Sequence, residues 1–216
     1  MDTHPVVRAV PLLVLAVVLE VTRRAKRDWG ATRTEARAPL PGDEILGAGA
    51  DVVATRAVTV GAPPAQVWPW LAQLGQGRGG FSSYDRLQSA LGLDIRNAEE
   101  IVPQWQDLAP GDAVHLAAKV PLTAVVVEPG HALVLRTPEE PAGRSAVPAR
   151  FTWAFVLRPG PHGTTRLLVR ERYVCPGPGS RLGVELIQVA SFVMTARMLR
   201  GVQERVGRAH PGPVPS

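Results

Sequence analysis

Cysteine is almost absent: Cys175 is the only one in 216 residues. An intrachain disulfide is therefore excluded, and so is a cysteine-based zinc cluster. A lone thiol of this kind reads as a small buried hydrophobe ahead of a reactive group. Histidine is also scarce, with five in the chain and no H-x-x-x-H or H-E-x-x-H pair, so no metal site is expected. Gly-x-Ser-x-Gly is missing, and with it the nucleophile elbow of the α/β-hydrolases. No stretch interleaves basic and aromatic residues in the manner of a nucleic-acid surface. The main body also lacks a strong charge. The first 37 residues hold seven basic and four acidic side chains, and the remainder seventeen and fifteen. The net of +3 before residue 38 against +2 after it places most of the basic excess in an N-terminal arm.

What is present is a globular balance, 45% apolar and 20% charged, with 21 glycines and 21 prolines to interrupt helices. The densest stretch is Val67–Asp85, VWPWLAQLGQGRGGFSSYD. It sets tryptophans, Phe81 and Tyr84 around the Gly75–Gly80 turn, large apolar faces beside a backbone free to bend. That combination suits the rim of a pocket. The turn matches G-x-G-x-x-G, but it follows a helical pattern rather than a strand, so a dinucleotide fingerprint is not expected and no cofactor is implied.

Ala9–Leu19 is continuously apolar between Arg8 and Glu20, and Pro5–Val21 offers seventeen positions. A bilayer core asks for roughly 20 residues, with about 17 as the lower limit. A cleaved signal peptide would need small residues after the run, where this chain has Glu20-Val21-Thr22-Arg23-Arg24. A buried or interfacial helix and a single-pass anchor remain. The anchor is the reading preferred here, with residues 1–27 as a transmembrane helix plus its juxtamembrane cluster. Arg23, Arg24, Lys26 and Arg27 then hold that side in the cytoplasm, and the domain hangs from the inner face of the cell membrane. Residues 28–51 read as a linker with little structure of their own, rich in Pro39, Pro41, Gly42, Gly47 and Gly49.

Beyond the linker, Val52–Val60 alternates as a strand. Pro63-Pro64 opens a helix in which Val67, Trp68, Trp70, Leu71 and Leu74 recur at helical spacing. Pro69 has no N–H to return to Ala65, so this helix is expected to be short or kinked, with Gly75 as its stop. Ser82-x-x-Asp85 has the form of a capping box for a second helix through Leu91. Strands are predicted over Ala113–Ala118, Thr123–Val127, Ala132–Arg136, Phe151–Arg158 and Thr164–Val174. From Ser180 a long helix follows, with Leu182, Leu186, Val189, Val193, Ala196, Leu199 and Val206 as its apolar stripe. Residues 209–216 read as a disordered tail.

This order resembles the helix-grip fold of the START-like superfamily, also described as SRPBCC or polyketide cyclase/dehydrase-like. The likeness covers Ala50–Arg208. It rests on ATRAVTVGAPPAQVWPWL, PGDAVHL, the hairpin around TWAFVL and the long terminal helix. More narrowly, LGQGRGGFSSYDRL and LGLDIRNAEEIVPQWQDLAPGD are similar to a bacterial, largely actinobacterial, subgroup of unassigned function with a hydrophobic segment before the domain. The resemblance implies an α+β fold over residues 52–208, an antiparallel β-sheet wrapped around a long C-terminal α-helix, with a cavity between. The superfamily includes carriers, receptors, aromatase/cyclases and chaperone co-activators, so activity does not follow from fold.

The expected function is a membrane-tethered domain binding a lipid-like or polyketide-like molecule. Trp70, Arg78, Phe81, Tyr84, His115 and Trp153 are the candidate ligand-binding residues. Arg78 offers a fork of donors, and Phe151, Trp153 and Phe155 share one strand face. A cyclase or dehydratase, with His115 beside Tyr84 or Arg78 as base and donor, is an alternative. A non-catalytic protein-interaction module is another. Catalytic residues are not assigned, and the non-enzymatic reading is preferred.

Overall fold

The computed structural model describes residues 22–47, 49–81, 98–117, 120–138 and 149–209. Six strands form one antiparallel sheet: β1 (Val52–Val60), β2 (Ala113–Ala117), β3 (Val120–Glu128), β4 (Ala132–Arg136), β5 (Arg150–Pro159) and β6 (Thr165–Val174). Their order across the sheet is β1-β6-β5-β4-β3-β2. Consecutive strands from β2 to β6 are neighbours, and β1 closes the far edge against β6. Residues 22–27 are helical (α1); α2 (Arg33–Arg37), α3 (Pro64–Ala72) and the long α4 (Pro178–Ala209) follow.

Alternation decides which side of each strand is buried under α4. Val58 and Val60, Leu133 and Leu135, Phe155 and Leu157, and Leu167 and Val169 all fall in one core cluster. Phe151, Trp153 and Phe155 share that inner face, each under 10% exposed. Each aromatic buries roughly 150–250 Å² on folding, and at about 25 cal/mol per Å² that is roughly 4–6 kcal/mol before entropy. α3 is nine residues long with Pro64 in its first turn and Pro69 inside it. Beyond it Gly75 and Gly80 form an isolated bridge, with Gly75 at φ +125°. Gly79 packs so tightly that a Cβ would lie 2.8 Å from the Gln73 carbonyl oxygen. Cys175 is half-buried and packs against the core. Its thiol is pushed up by burial first and by the nearby Asp51 carboxylate next.

Two features differ from the sequence expectation. The first is the stripe on α4. Ala196, Leu199 and Val206 are buried, but Leu182, Leu186, Val189 and Val193 are exposed. Up to its middle, α4 turns Val184, Gln188 and Thr195 toward the sheet instead. A helix with apolar residues on two faces does not declare from periodicity alone which one meets the core.

The second concerns residues 28–51, expected to carry little structure of their own. From Gly30 to Gly47 they lie against the outer face of β1 and β6. Arg170 Nη1 donates to Asp43 Oδ2 at 2.6 Å and to the Ala38 carbonyl at 2.8 Å. Its Nη2 donates to the carbonyls of Glu35 and Ala36. One guanidinium thus satisfies the carbonyls that end α2. Arg166 pairs with Glu35 at 2.7 Å, and Arg172 with Asp43 at 3.5 Å. Leu40 sits in a small outer cluster with Ala57, Val156 and Leu168.

The expected capping box at Ser82 and the second helix lie outside the described residues. So do residues 1–21, which carry the expected membrane helix, and most of the expected tail.

Candidate functional site

Between the inner face of the sheet and α4 lies a cavity of about 290 Å³. One wall comes from β2, β3, β5 and β6, through Leu116, Val120, Phe151, Trp153 and Tyr173, with Phe81 from the turn after α3. The other comes from α4, through Ile187, Ala190, Met194 and Met198. Its rings are in mutual contact. Phe81 and Trp153 have centroids 5.9 Å apart, Trp153 and Phe155 4.7 Å, and Phe151 stacks on Tyr173 at 4.6 Å. Among the described residues, Ile187 and Ala190 are both lining and exposed, so the mouth runs beside the first half of α4.

The remaining lining is polar and organised around one carboxylate. The charged residues at inner positions on β1 and β6 are Arg56 and Glu171, which form an ion pair at 2.7 Å with 1% and 2% exposure. Glu171 Oε1 also accepts from Ser191 Oγ at 2.6 Å and Thr195 Oγ1 at 3.1 Å. Oε2 accepts from Gln188 Nε2 at 2.8 Å and Tyr173 Oη at 3.1 Å. Gln188, Ser191 and Thr195 are spaced so that one face of α4 presents all three. Arg56 is further held by Gln188 Oε1 at 3.0 Å and by the Lys26 carbonyl. Burial pushes the Glu171 pKa up, but the Arg56 charge and the hydroxyl and amide donors together outweigh it, leaving it below the ordinary value. Tyr173 moves the other way, raised well above its ordinary value by burial and then by the adjacent carboxylate.

Of the residues singled out from sequence, Phe81 and Trp153 line the cavity together. Trp70 is buried in the core cluster and is not among the lining residues. Arg78 is directed at the backbone: its Nη2 donates to the carbonyls of Ala72 at 3.0 Å and Trp105 at 2.6 Å, tying the glycine turn to α3 and to the connector before β2. Burial pulls its pKa down, partly offset by Asp112. His115 is half-buried on β2, where its carbonyl accepts from the Gln76 N–H at 2.8 Å. Tyr84 lies outside the described residues. The groups sequence reasoning passed over are Arg56, Glu171, Gln188, Ser191 and Thr195. A signal existed: in VVATRAVTV and in LLVRERYV, period-two counting puts one charge of each sign among inward apolar positions. Among the described residues no cluster of His, Cys, Asp or Glu could hold a metal ion.

The order of elements and the sheet closed by a C-terminal helix settle the architecture. The fold is a helix-grip, an antiparallel sheet closed by a long C-terminal helix. No protein-family model matches the chain, and no curated protein does. Solved structures of similar fold include a solution structure of a Thermobifida fusca protein, at 18% identity and TM-score 0.48 over 72% of this chain and 93% of that one. An X-ray structure of a Nitrosomonas europaea protein matches at 16% identity and TM-score 0.46, covering 80% and 100% of the two chains. The aromatase/cyclase Zhui from Streptomyces sp. R1128 matches at 17% identity and TM-score 0.44, covering 76% and 99%. Similarity at this level carries no argument about activity.

Proposed function

We propose that the protein binds a hydrophobic small molecule in the cavity under α4 and keeps it close to a membrane through its N-terminal segment. The observation that carries the reading is the cavity itself, about 290 Å³ of space walled mostly by apolar side chains. That is near the lower end of ligand pockets, which run from roughly 300 Å³ upward. Burial of apolar surface, at about 25 cal/mol per Å², supplies the driving force. Binding is preferred over a cyclase-type reaction because the carboxylate on the wall already accepts from five groups. It is a structural acceptor rather than a base waiting for a substrate proton.

The tether rests on Ala9–Leu19 and the basic residues after it. α1 ties that junction to the domain: Arg23 and Arg27 both pair with Glu185 on α4, the latter at 2.6 Å. Trp29 then meets the Phe192 ring at 6.3 Å and lies under the Arg200 guanidinium at 5.1 Å. An anchor in residues 5–21 would therefore hold the domain with the start of α4, and the exposed Leu182 and Leu186, toward the lipid. α4 is itself long and apolar enough to cross a bilayer, yet it is packed on the sheet as the lid of the cavity.

The test uses the full chain in lipid nanodiscs. Native mass spectrometry should find a co-purified apolar molecule, and Nile red should bind with a blue-shifted emission. Ala190→Trp, at the mouth, should abolish dye binding while leaving the circular dichroism unchanged. Dye binding that survives Ala190→Trp, or no uptake by the parent protein, would reject the cavity as the site. Membrane attachment is checked by alkaline extraction, which should leave the full chain in the membrane fraction and release a chain lacking residues 1–21.

A further inference from the structure

The polar end of the cavity has a direction. Three lining hydroxyls, on Tyr173, Ser191 and Thr195, each point their single proton at Glu171. They have lone pairs to offer and no proton. Arg56 does not line the cavity. It sits behind Glu171 and also approaches Ser191 Oγ at 3.4 Å and Thr195 Oγ1 at 3.5 Å. The indole N–H of Trp153 has no partner among the described residues, but the nitrogen is buried within the wall and closed to the open space. A molecule in the cavity therefore meets acceptors and a carboxylate, and no free cation or side-chain donor among the described residues. Tyr173 Oη keeps a lone pair beyond the one the Gln188 amide engages, and its ring is stacked on Phe151.

We infer that the cavity selects a neutral apolar molecule bearing a hydroxyl group, which donates to Tyr173 Oη, and turns away carboxylates. This rests on the ligand-binding reading above and adds the class of ligand. A carboxylate head group would sit beside Glu171 with no donor among the described residues to compensate its desolvation, and like charges at close range in a poorly solvated site repel strongly. A hydroxyl keeps its donated bond and gives up little else.

The test is a titration of the full chain in nanodiscs with four probes sharing one ring system: 2-naphthylmethanol, its methyl ether, 2-ethylnaphthalene and 2-naphthoate. One net hydrogen bond is worth about 0.5–1.5 kcal/mol, so the alcohol should bind about 2- to 10-fold tighter than the ethyl compound. The ether, with the same oxygen and no proton, should lose that advantage. The naphthoate should bind at least tenfold more weakly than the alcohol. Tyr173→Phe should bring the alcohol down to the ethyl compound and leave the latter unchanged, whereas Ser191→Ala should preserve the difference. Naphthoate binding as tightly as the alcohol, or an ether as tight as the alcohol, overturns the inference while the cavity reading stands. If none of the four binds the parent protein, the cavity reading falls and the inference with it. The ether comparison needs no variant, so the question is decided even if Tyr173→Phe fails to fold.

Discussion

Replacing Glu171 by Gln probes a place where the sheet and α4 share a buried charge. The carboxylate and Arg56 are 2% and 1% exposed and 2.7 Å apart. Gln keeps the shape but leaves the Arg56 cation without its counter-charge in the interior. Breaking a buried pair from one side costs about 3–5 kcal/mol. For a domain of this size each kcal/mol lowers Tm by roughly 2–4 °C, so a fall of roughly 6–20 °C is expected. Arg56→Met should cost a comparable amount. The double variant should lose less than the two single losses combined, by about 2–3 kcal/mol, because each single change leaves the other charge stranded. Urea denaturation of the four proteins measures this coupling. A coupling within about 0.5 kcal/mol of zero would refute the claim that the two act as one unit.

The same pair predicts a pH dependence. The Glu171 pKa in the folded state lies below its ordinary 4.5. Its stabilisation is therefore fully present above the unfolded carboxylate range and is lost as pH falls through and below it. The parent should lose stability progressively below pH 4.5, and Glu171→Gln should show less of that loss.

Three further outcomes are expected. Arg78→Ala removes two bonds to the carbonyls of Ala72 and Trp105; at about 1.5–3 kcal/mol for a charged bond, it should destabilise by a few kcal/mol in urea titration, and the turn should become the first site of proteolysis. Gly30→Ala would place a Cβ 2.1 Å from the Ala57 carbonyl oxygen at φ +72°, whereas Gly47, at φ +68°, has nothing within 4 Å. Gly47→Ala should cost about 1–2 kcal/mol and Gly30→Ala at least about 2 kcal/mol more, compared by thermal melts. Glu35 is held to about 2, first by its hydrogen bond to Arg166, so its stabilisation persists above the ordinary 4.5 and drains away as pH falls toward about 2; Arg166→Ala should flatten that part of the stability–pH curve.

How much of this was legible residue by residue is uneven. β4 is found over Ala132–Arg136, as its alternation predicts, and β1 over Val52–Val60. Trp153 carried a usable signal, because three aromatics at period two on one strand favour the interior, and Phe81 carried one as an aromatic beside the glycine turn. Arg166, Arg170 and Arg172 carry no such signal. Alternate arginines on a strand look like a solvated face, and nothing local reveals that Glu35 and Asp43, more than a hundred residues earlier, cover them. Arg78 looked like a ligand donor because a glycine-rich turn bares its surroundings; its true partners are backbone carbonyls that no side-chain pattern announces.

Composition and periodicity by themselves determined that the chain has a strand-rich body, a long closing helix, an apolar N-terminal run and no intrachain disulfide. These follow from local rules: branched residues alternate, prolines break, and one thiol cannot pair within the chain. Which face of α4 meets the sheet was decided only in three dimensions. So were the meeting of Arg56 with Glu171 and the room left under the helix. The ion pair depends on β1 pairing with β6, and the other two on how far the helix stands off the strands; both are set by contacts between residues distant in sequence, where the pattern along the chain carries no information.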